Sequence, residues 1–76
     1  MTVDEATAQA RAVYRFIGEQ ARRNGLDSAP WEHLAERFGI WGEDWARVLA
    51  ASGGHLAWRR YGLIGVHRRN VEISRA

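Results

Sequence analysis

Small and aliphatic residues near the start of the chain recur at steps of three or four positions. This series comprises Val3, Ala6, Ala10, Val13, Ile17 and Ala21. Such spacing places the residues on one side of an α-helix. Thr2 followed by Glu5 is a capping-box pattern, and Asn24-Gly25 is a typical helix end. The pattern predicts a helix over residues 3–24.

Two shorter helical segments follow. The stretch 27–30 (Asp-Ser-Ala-Pro) offers a polar cap and a proline suited to the first turn of a helix. It predicts a helix over residues 29–38, ending at Gly39. A third helix is predicted over residues 42–52, where Gly53-Gly54 ends it.

The pattern then changes to alternating β-branched residues. Residues 63–66 and 71–74 have this character, and a polar turn at 67–70 separates them. We therefore expect a hairpin over residues 62–74. Residues 55–61 fit either one or two further helical turns or a first strand. The fold class expected is mainly α with a small C-terminal β-hairpin, in the element order of a winged helix.

Length and composition restrict the classes of protein. Seventy-six residues make one domain, residues 1–76. Cysteine is absent and the three histidines are scattered, so we expect no disulfide, no metal site and no cofactor. No apolar run reaches the roughly 18–20 residues of a membrane span, and the acidic N-terminus is unlike a secretory signal. These features indicate a soluble, cytoplasmic protein that is complete as given and does not bind membranes.

The charges are distributed unevenly. All eleven basic residues are Arg, which a GC-rich genome would also produce. Residues 1–54 hold six Arg and eight acidic residues, whereas residues 55–76 hold five Arg and one acidic residue. This asymmetry favours a polyanion as the partner of the C-terminal end.

Residues 31–50 carry the most specific motif. Ala35 supplies the small residue needed where two helices cross, and Gly39 supplies the residue able to adopt positive φ in the turn. Apolar residues occupy the supporting positions Leu34, Phe38, Ile40, Trp45 and Val48. The segment resembles the helix-turn-helix of bacterial DNA-binding proteins. An ordinary helical hairpin with a glycine in its turn is the alternative.

The C-terminal end extends the resemblance. Residues 61–64 (Tyr-Gly-Leu-Ile), followed by residues 68–73, look like the wing of bacterial winged-helix regulators. The chain departs from that pattern by inserting Gly53-Gly54 and a Trp-Arg-Arg segment before this step. The resemblance covers about residues 31–74. It implies that the third helix enters the major groove of DNA and that the wing contacts the backbone or the minor groove.

The candidate DNA-binding residues are the basic ones of these two elements: Arg47, Arg59, Arg60, His67, Arg68 and Arg69. In the third helix only Arg47 is suited to reading a base, and it could equally contact a phosphate or pair with Glu43. The other five would contact phosphates or the minor groove. A basic surface that only faces solvent is the alternative.

Three further residues suggest a protein partner. Trp41 occupies the turn of the motif, where it either covers the core or stands exposed as a contact. Glu43 and Asp44 would repel DNA, although acidic residues at a helix N-terminus also stabilise the helix itself. The remaining tryptophans, Trp31, Trp45 and Trp58, are expected in the core or at its edge.

The leading hypothesis is a small DNA-binding protein, either a transcriptional regulator or a phage- or plasmid-type accessory factor such as an excisionase. The alternative is a protein-interaction module, a small inhibitor or adaptor that docks through Trp41 and the third helix. RNA binding is a third possibility. No grouping of catalytic residues is present, so we expect no enzyme. The sequence leaves open whether the protein is a monomer or a homodimer.

Overall fold

The computed structural model describes residues 1–66. Its elements in chain order are α1 (Val3–Asn24), β1 (Ser28–Pro30), α2 (Trp31–Phe38), α3 (Asp44–Ala51), β2 (Leu56–Arg59), a short 3₁₀ turn (Arg60–Gly62) and β3 (Leu63–Val66). None of these helices is long and apolar enough to cross a membrane.

The three strands form one antiparallel sheet in the order β1-β3-β2. Ala29 of β1 and Trp58 of β2 both lie opposite Ile64 of the central strand. Three helices, with a strand between the first two and a hairpin after the third, give the element order of a winged helix. The expected fold class is therefore confirmed.

Helix α1 has the bounds that the sequence predicts. The Thr2 backbone N–H donates to Glu5 Oε1 at 2.7 Å, and the Glu5 N–H donates to Thr2 Oγ1 at 3.1 Å. These two bonds complete the capping box. Gly25 ends the helix with φ of 76° and donates its N–H to the Ala21 carbonyl.

The start of the second helix was predicted too early. Residues 28–30 are extended because they pair with residues 63–65 of β3, and the helix begins only at Trp31. Pro30 is compatible with this pairing because β1 lies at the edge of the sheet. The third helix is also shorter than predicted, since it runs from Asp44 to Ala51.

The predicted hairpin is displaced along the chain. Residues 63–66 do form a strand, but its hairpin partner is 56–59, with the turn at 60–62. The opposite edge of β3 pairs with β1, so both of its edges are occupied. The wing is thus residues 56–66 rather than 62–74, and the open question about residues 55–61 is answered by a strand and a turn. The rest of the predicted hairpin, residues 67–74, lies outside the described residues.

One hydrophobic core joins the helices to the inner face of the sheet. Its largest fully buried side chains are Ile17, Leu34, Ile40, Ile64, Val13 and Val48. Trp45 is 2% exposed, as a core position requires, and Trp31 packs at the core edge. Trp58 was predicted in the core or at its edge, but it is 51% exposed because it lies near the end of β2, beside the wing turn.

Candidate nucleic-acid interface

The helix-turn-helix follows the steric rules that the sequence suggests. Ala35 is fully buried, and Gly39 has φ of 68°. The N–H groups of Gly39 and Ile40 both donate to the Ala35 carbonyl, at 2.8 and 3.2 Å. These bonds close the end of α2 and direct the chain into the turn that leads to α3.

Trp31 links the turn of this motif to the wing. Its ring meets the Trp41 ring edge to face, with centroids 6.4 Å apart. On the wing, a Cβ placed on Gly62 would lie 3.2 Å from Trp31 Cδ1, so the wing backbone passes close to the Cδ1–Nε1 edge of the indole. The turn before α3, the start of α2 and the turn of the wing therefore share one face of the molecule.

The tip of the wing carries two exposed side chains, those of Arg60 and Tyr61. Tyr61 is 93% exposed, and Arg60 is also exposed and forms no ion pair or hydrogen bond with any residue in 1–66. Tyr61 has φ of 63°, a left-handed conformation that is unfavourable for an aromatic residue. With Gly62 at φ of 70°, two successive left-handed residues turn the hairpin. The geometry thus presents a cation and a phenol ring to solvent.

Arg59 has a different position from its neighbour Arg60. Its side chain crosses the outer face of the sheet at Gly65, and Nη2 donates to the Val66 carbonyl at 2.7 Å. The same nitrogen lies 3.6 Å from Asp27 Oδ2. Arg59 therefore links the end of β3 to Asp27, just before β1. Of these two arginines, Arg60 is the one without an ion pair or hydrogen bond to a residue in 1–66.

Arg47 lies on the exposed side of α3, as predicted. It pairs with Asp44 one turn earlier, with Nη1 3.2 Å from Oδ1, rather than with Glu43. The Arg47 side chain is 55% exposed, so the pair is weak and can exchange for a phosphate or a base edge.

The residues predicted to contact a protein lie beside this helix. Trp41 is 56% exposed and Glu43 is exposed, whereas Asp44 is half-buried. The start of α3 therefore combines an aromatic surface with two carboxylates. An interface here is chemically mixed, unlike the uniformly basic surface of a strong DNA binder.

The net positive charge arises at the C-terminus. Residues 1–66 contain eight Arg and eight acidic residues, and residues 67–76 contain three Arg and one Glu, which accounts for the formal charge of +2. The candidates His67, Arg68 and Arg69 lie outside the described residues. In the sequence they follow Val66, which is the last residue of β3.

Two residues of this face were not among the sequence candidates. Tyr61 was assigned to the step into a strand, because an aromatic residue is not among the residues that favour the positive φ of a hairpin turn. Trp31 was expected in the core or at its edge and not as part of a binding face. Its bridging position depends on the wing folding back over α2, which local sequence does not encode.

Comparisons with known proteins found no similar sequence or structure. No protein-family model, no curated protein and no solved structure matches this chain. Within residues 1–66, no cluster of His, Asp or Glu could hold a metal ion.

Proposed function

We propose that this protein binds duplex DNA in the cytoplasm, as a small transcriptional regulator or mobile-element accessory factor. The observation that carries the proposal is the shared face described above. Trp31 contacts both the turn before α3 and the turn of the wing, so α3 and the wing tip can meet one duplex together. In a winged helix, this arrangement suits one element to the major groove and the other to an adjacent groove.

The wing supplies the electrostatic part of the contact. Arg60 is unpaired with any described residue and can reach a phosphate or a narrow minor groove, and the exposed Tyr61 ring can pack on a sugar beside it. His67, Arg68 and Arg69 would extend this contact. On α3, Arg47 would leave Asp44 for the DNA.

Binding dominated by phosphates must depend strongly on salt, because each neutralised phosphate releases a counterion. The test is a fluorescence-anisotropy titration of a labelled duplex at two salt concentrations. We expect binding at low salt that weakens steeply at high salt. For Arg60→Ala we expect weaker binding and a slope of log K against log salt reduced by about 0.9.

Arg11→Ala is the matched control, since it removes the same charge from exposed α1, away from the wing. It should leave the salt slope unchanged. Absence of duplex binding by the wild-type protein at low salt contradicts the proposal. Equal losses in the two variants would also contradict it, because binding would then follow net charge and not the wing. Tighter binding to a single-stranded RNA of the same sequence would assign the face to RNA.

A protein-docking role is the second candidate, and the exposure of Trp41 beside Glu43 and Asp44 favours it. Solvent-exposed tryptophans are frequent anchors of protein interfaces. The double variant Arg68→Ala/Arg69→Ala separates the two roles. Wild type, this variant and Trp41→Ala are each used to capture proteins from a nuclease-treated host extract. The docking role is supported if wild type and the double variant capture the same protein, Trp41→Ala does not, and the wild type does not bind duplex.

A further inference from the structure

An open groove of about 700 Å³ runs along α1 and the C-terminal end of α3. Its walls come from residues 7–22 of α1 and from residues 51, 52 and 55. No residue of the wing or of the turn before α3 lines it. The groove is thus distinct from the face proposed to bind DNA.

A row of arginines follows one rim of the groove. Arg11, Arg15 and Arg22 stand four and seven residues apart, so they lie along one side of α1 over about 16 Å. Arg22 pairs with Glu19, the single acidic residue among the described residues that line the groove. Arg11 and Arg15 form no ion pair with any described residue. The rim therefore has two unpaired cations one helical turn apart.

The floor of the groove is apolar and shallow. Small residues form it, with Ala10 and Gly18 on α1 and Ala51 at the end of α3. A Cβ added to Gly18 would meet nothing within 4 Å, so the missing side chain leaves open space there. Tyr14 and His55 close one side, with ring centroids 5.6 Å apart in an edge-to-face contact.

We propose that this groove binds an amphipathic α-helix whose acidic side chains pair with the arginine row. Acidic residues at four- and seven-residue spacing on a partner helix would match the spacing of the three arginines. The apolar residues beside them would lie on the floor formed by Ala10, Gly18 and Ala51. Charge complementarity thus selects an acidic helix as the occupant.

The shape of the site also favours a helix over other anions. A small carboxylate ligand would contact one or two of the arginines and leave most of the open groove unfilled. A nucleic-acid backbone would use the cations but gain nothing from the alanine and glycine floor. The inference does not rest on DNA binding by the wing, because the two surfaces share no residue.

The probe for this site is a labelled synthetic 18-residue helical peptide. It carries Glu at positions 4, 8 and 15, with Leu and Ala on the adjoining face. Two control peptides carry Gln or Lys at the same three positions. We expect anisotropy titrations of the full chain to show binding of the Glu peptide, at least tenfold weaker binding of the Gln peptide, and none of the Lys peptide. Amide shifts should change at Ala10, Gly18 and Ala51.

Three variants locate the site. Arg11→Ala/Arg15→Ala should weaken the Glu peptide by tenfold or more. Gly18→Leu should weaken all peptide binding, because the new side chain starts from a Cβ that meets nothing within 4 Å and extends into the space above the floor. Arg60→Ala, the wing variant, should bind the peptide as wild type does. Circular dichroism verifies that each variant is folded.

Several results would overturn the inference. Equal binding of the Glu and Gln peptides would remove the role of charge, and amide shifts confined to the wing would place the peptide elsewhere. Loss of duplex binding in Arg11→Ala/Arg15→Ala, with no peptide binding by the wild type, would assign the row to DNA phosphates. Failure of duplex binding alone leaves this inference intact, because its measurement contains no nucleic acid.

Discussion

The strained wing tip offers a test of the fold at one residue. Tyr61 adopts φ of 63° at a position that is 93% exposed, so its ring gains almost no burial that could offset the unfavourable backbone. A residue with a Cβ costs about 1–2 kcal/mol in the left-handed region, whereas glycine enters it freely. Glycine also loses about 0.5–1 kcal/mol more conformational entropy on folding than alanine does.

Comparing Tyr61→Gly with Tyr61→Ala isolates the backbone effect, because both variants remove the ring. At an ordinary φ the alanine variant would be the more stable one. Here we expect the glycine variant to be more stable by about 0.5–1 kcal/mol, the difference between the two contributions. For a domain of this size that corresponds to a shift in Tm of roughly 2–8 °C.

Thermal unfolding followed by circular dichroism measures the difference, and urea titration at 25 °C gives it independently. Greater stability of the alanine variant would refute the left-handed assignment of Tyr61 and with it the turn at 60–62. If the wing binds DNA, Tyr61→Gly should at the same time bind duplex more weakly than wild type.

Three further predictions concern the framework. Gly65→Ala should destabilise the fold by about 1–3 kcal/mol in urea unfolding, because the new Cβ would lie 3.0 Å from the Asp27 carbonyl oxygen. The control Gly18→Ala should instead stabilise the fold by about 0.5–1 kcal/mol in the same assay, because its Cβ meets nothing within 4 Å. Thr2→Ala should cost about 1 kcal/mol in the same assay by removing the cap of α1. Hydrogen bonds from the Thr2 backbone and hydroxyl lower the pKa of Glu5. The ionised Glu5 carboxylate should therefore stabilise the fold at pH values above the ordinary pKa of a glutamate, and this stabilisation should be lost as the pH falls through the lowered pKa. Glu5→Gln should reduce this acid dependence in thermal scans from neutral to acid pH, and an unchanged dependence would contradict it.

The helical part of the fold could be predicted because its signals are local. Thr2, Glu5 and Gly25 define the ends of α1, and Gly39, bonded to the Ala35 carbonyl, defines the end of α2. The sheet could not be located in the same way. Three segments near the C-terminus have β-like or ambiguous patterns, and only tertiary pairing decides which of them meet.

The short strand β1 also could not be predicted from local sequence. Residues 28–30 contain a polar residue and a proline, which locally indicate the first turn of a helix. Their extended conformation is set by the pairing with β3, to which Ala29 contributes a buried side chain. A three-residue strand of this kind has no periodicity that a sequence pattern could reveal.

The candidate site was only partly accessible to sequence reasoning. Arg59 and Arg60 look equivalent in the sequence, but β2 directs the first across Gly65 while the turn directs the second into solvent. Trp41 and Trp58 show the same dependence: both are about half exposed, although only the first was considered for the surface. For Arg59, Arg60 and Trp58 the outcome follows from the register of the hairpin, and register follows from long-range pairing. For Trp41 it follows from the path of the turn between α2 and α3.

The most direct test of the central proposal is the duplex titration with Arg60→Ala beside Arg11→Ala at two salt concentrations. If α3 and the wing form a DNA-binding face, the wild-type protein binds at low salt and loses affinity steeply as salt rises. Only the wing variant should then bind more weakly with a shallower slope. No binding of the wild type at low salt, or equal behaviour of the two variants, would contradict the assignment of this face to DNA.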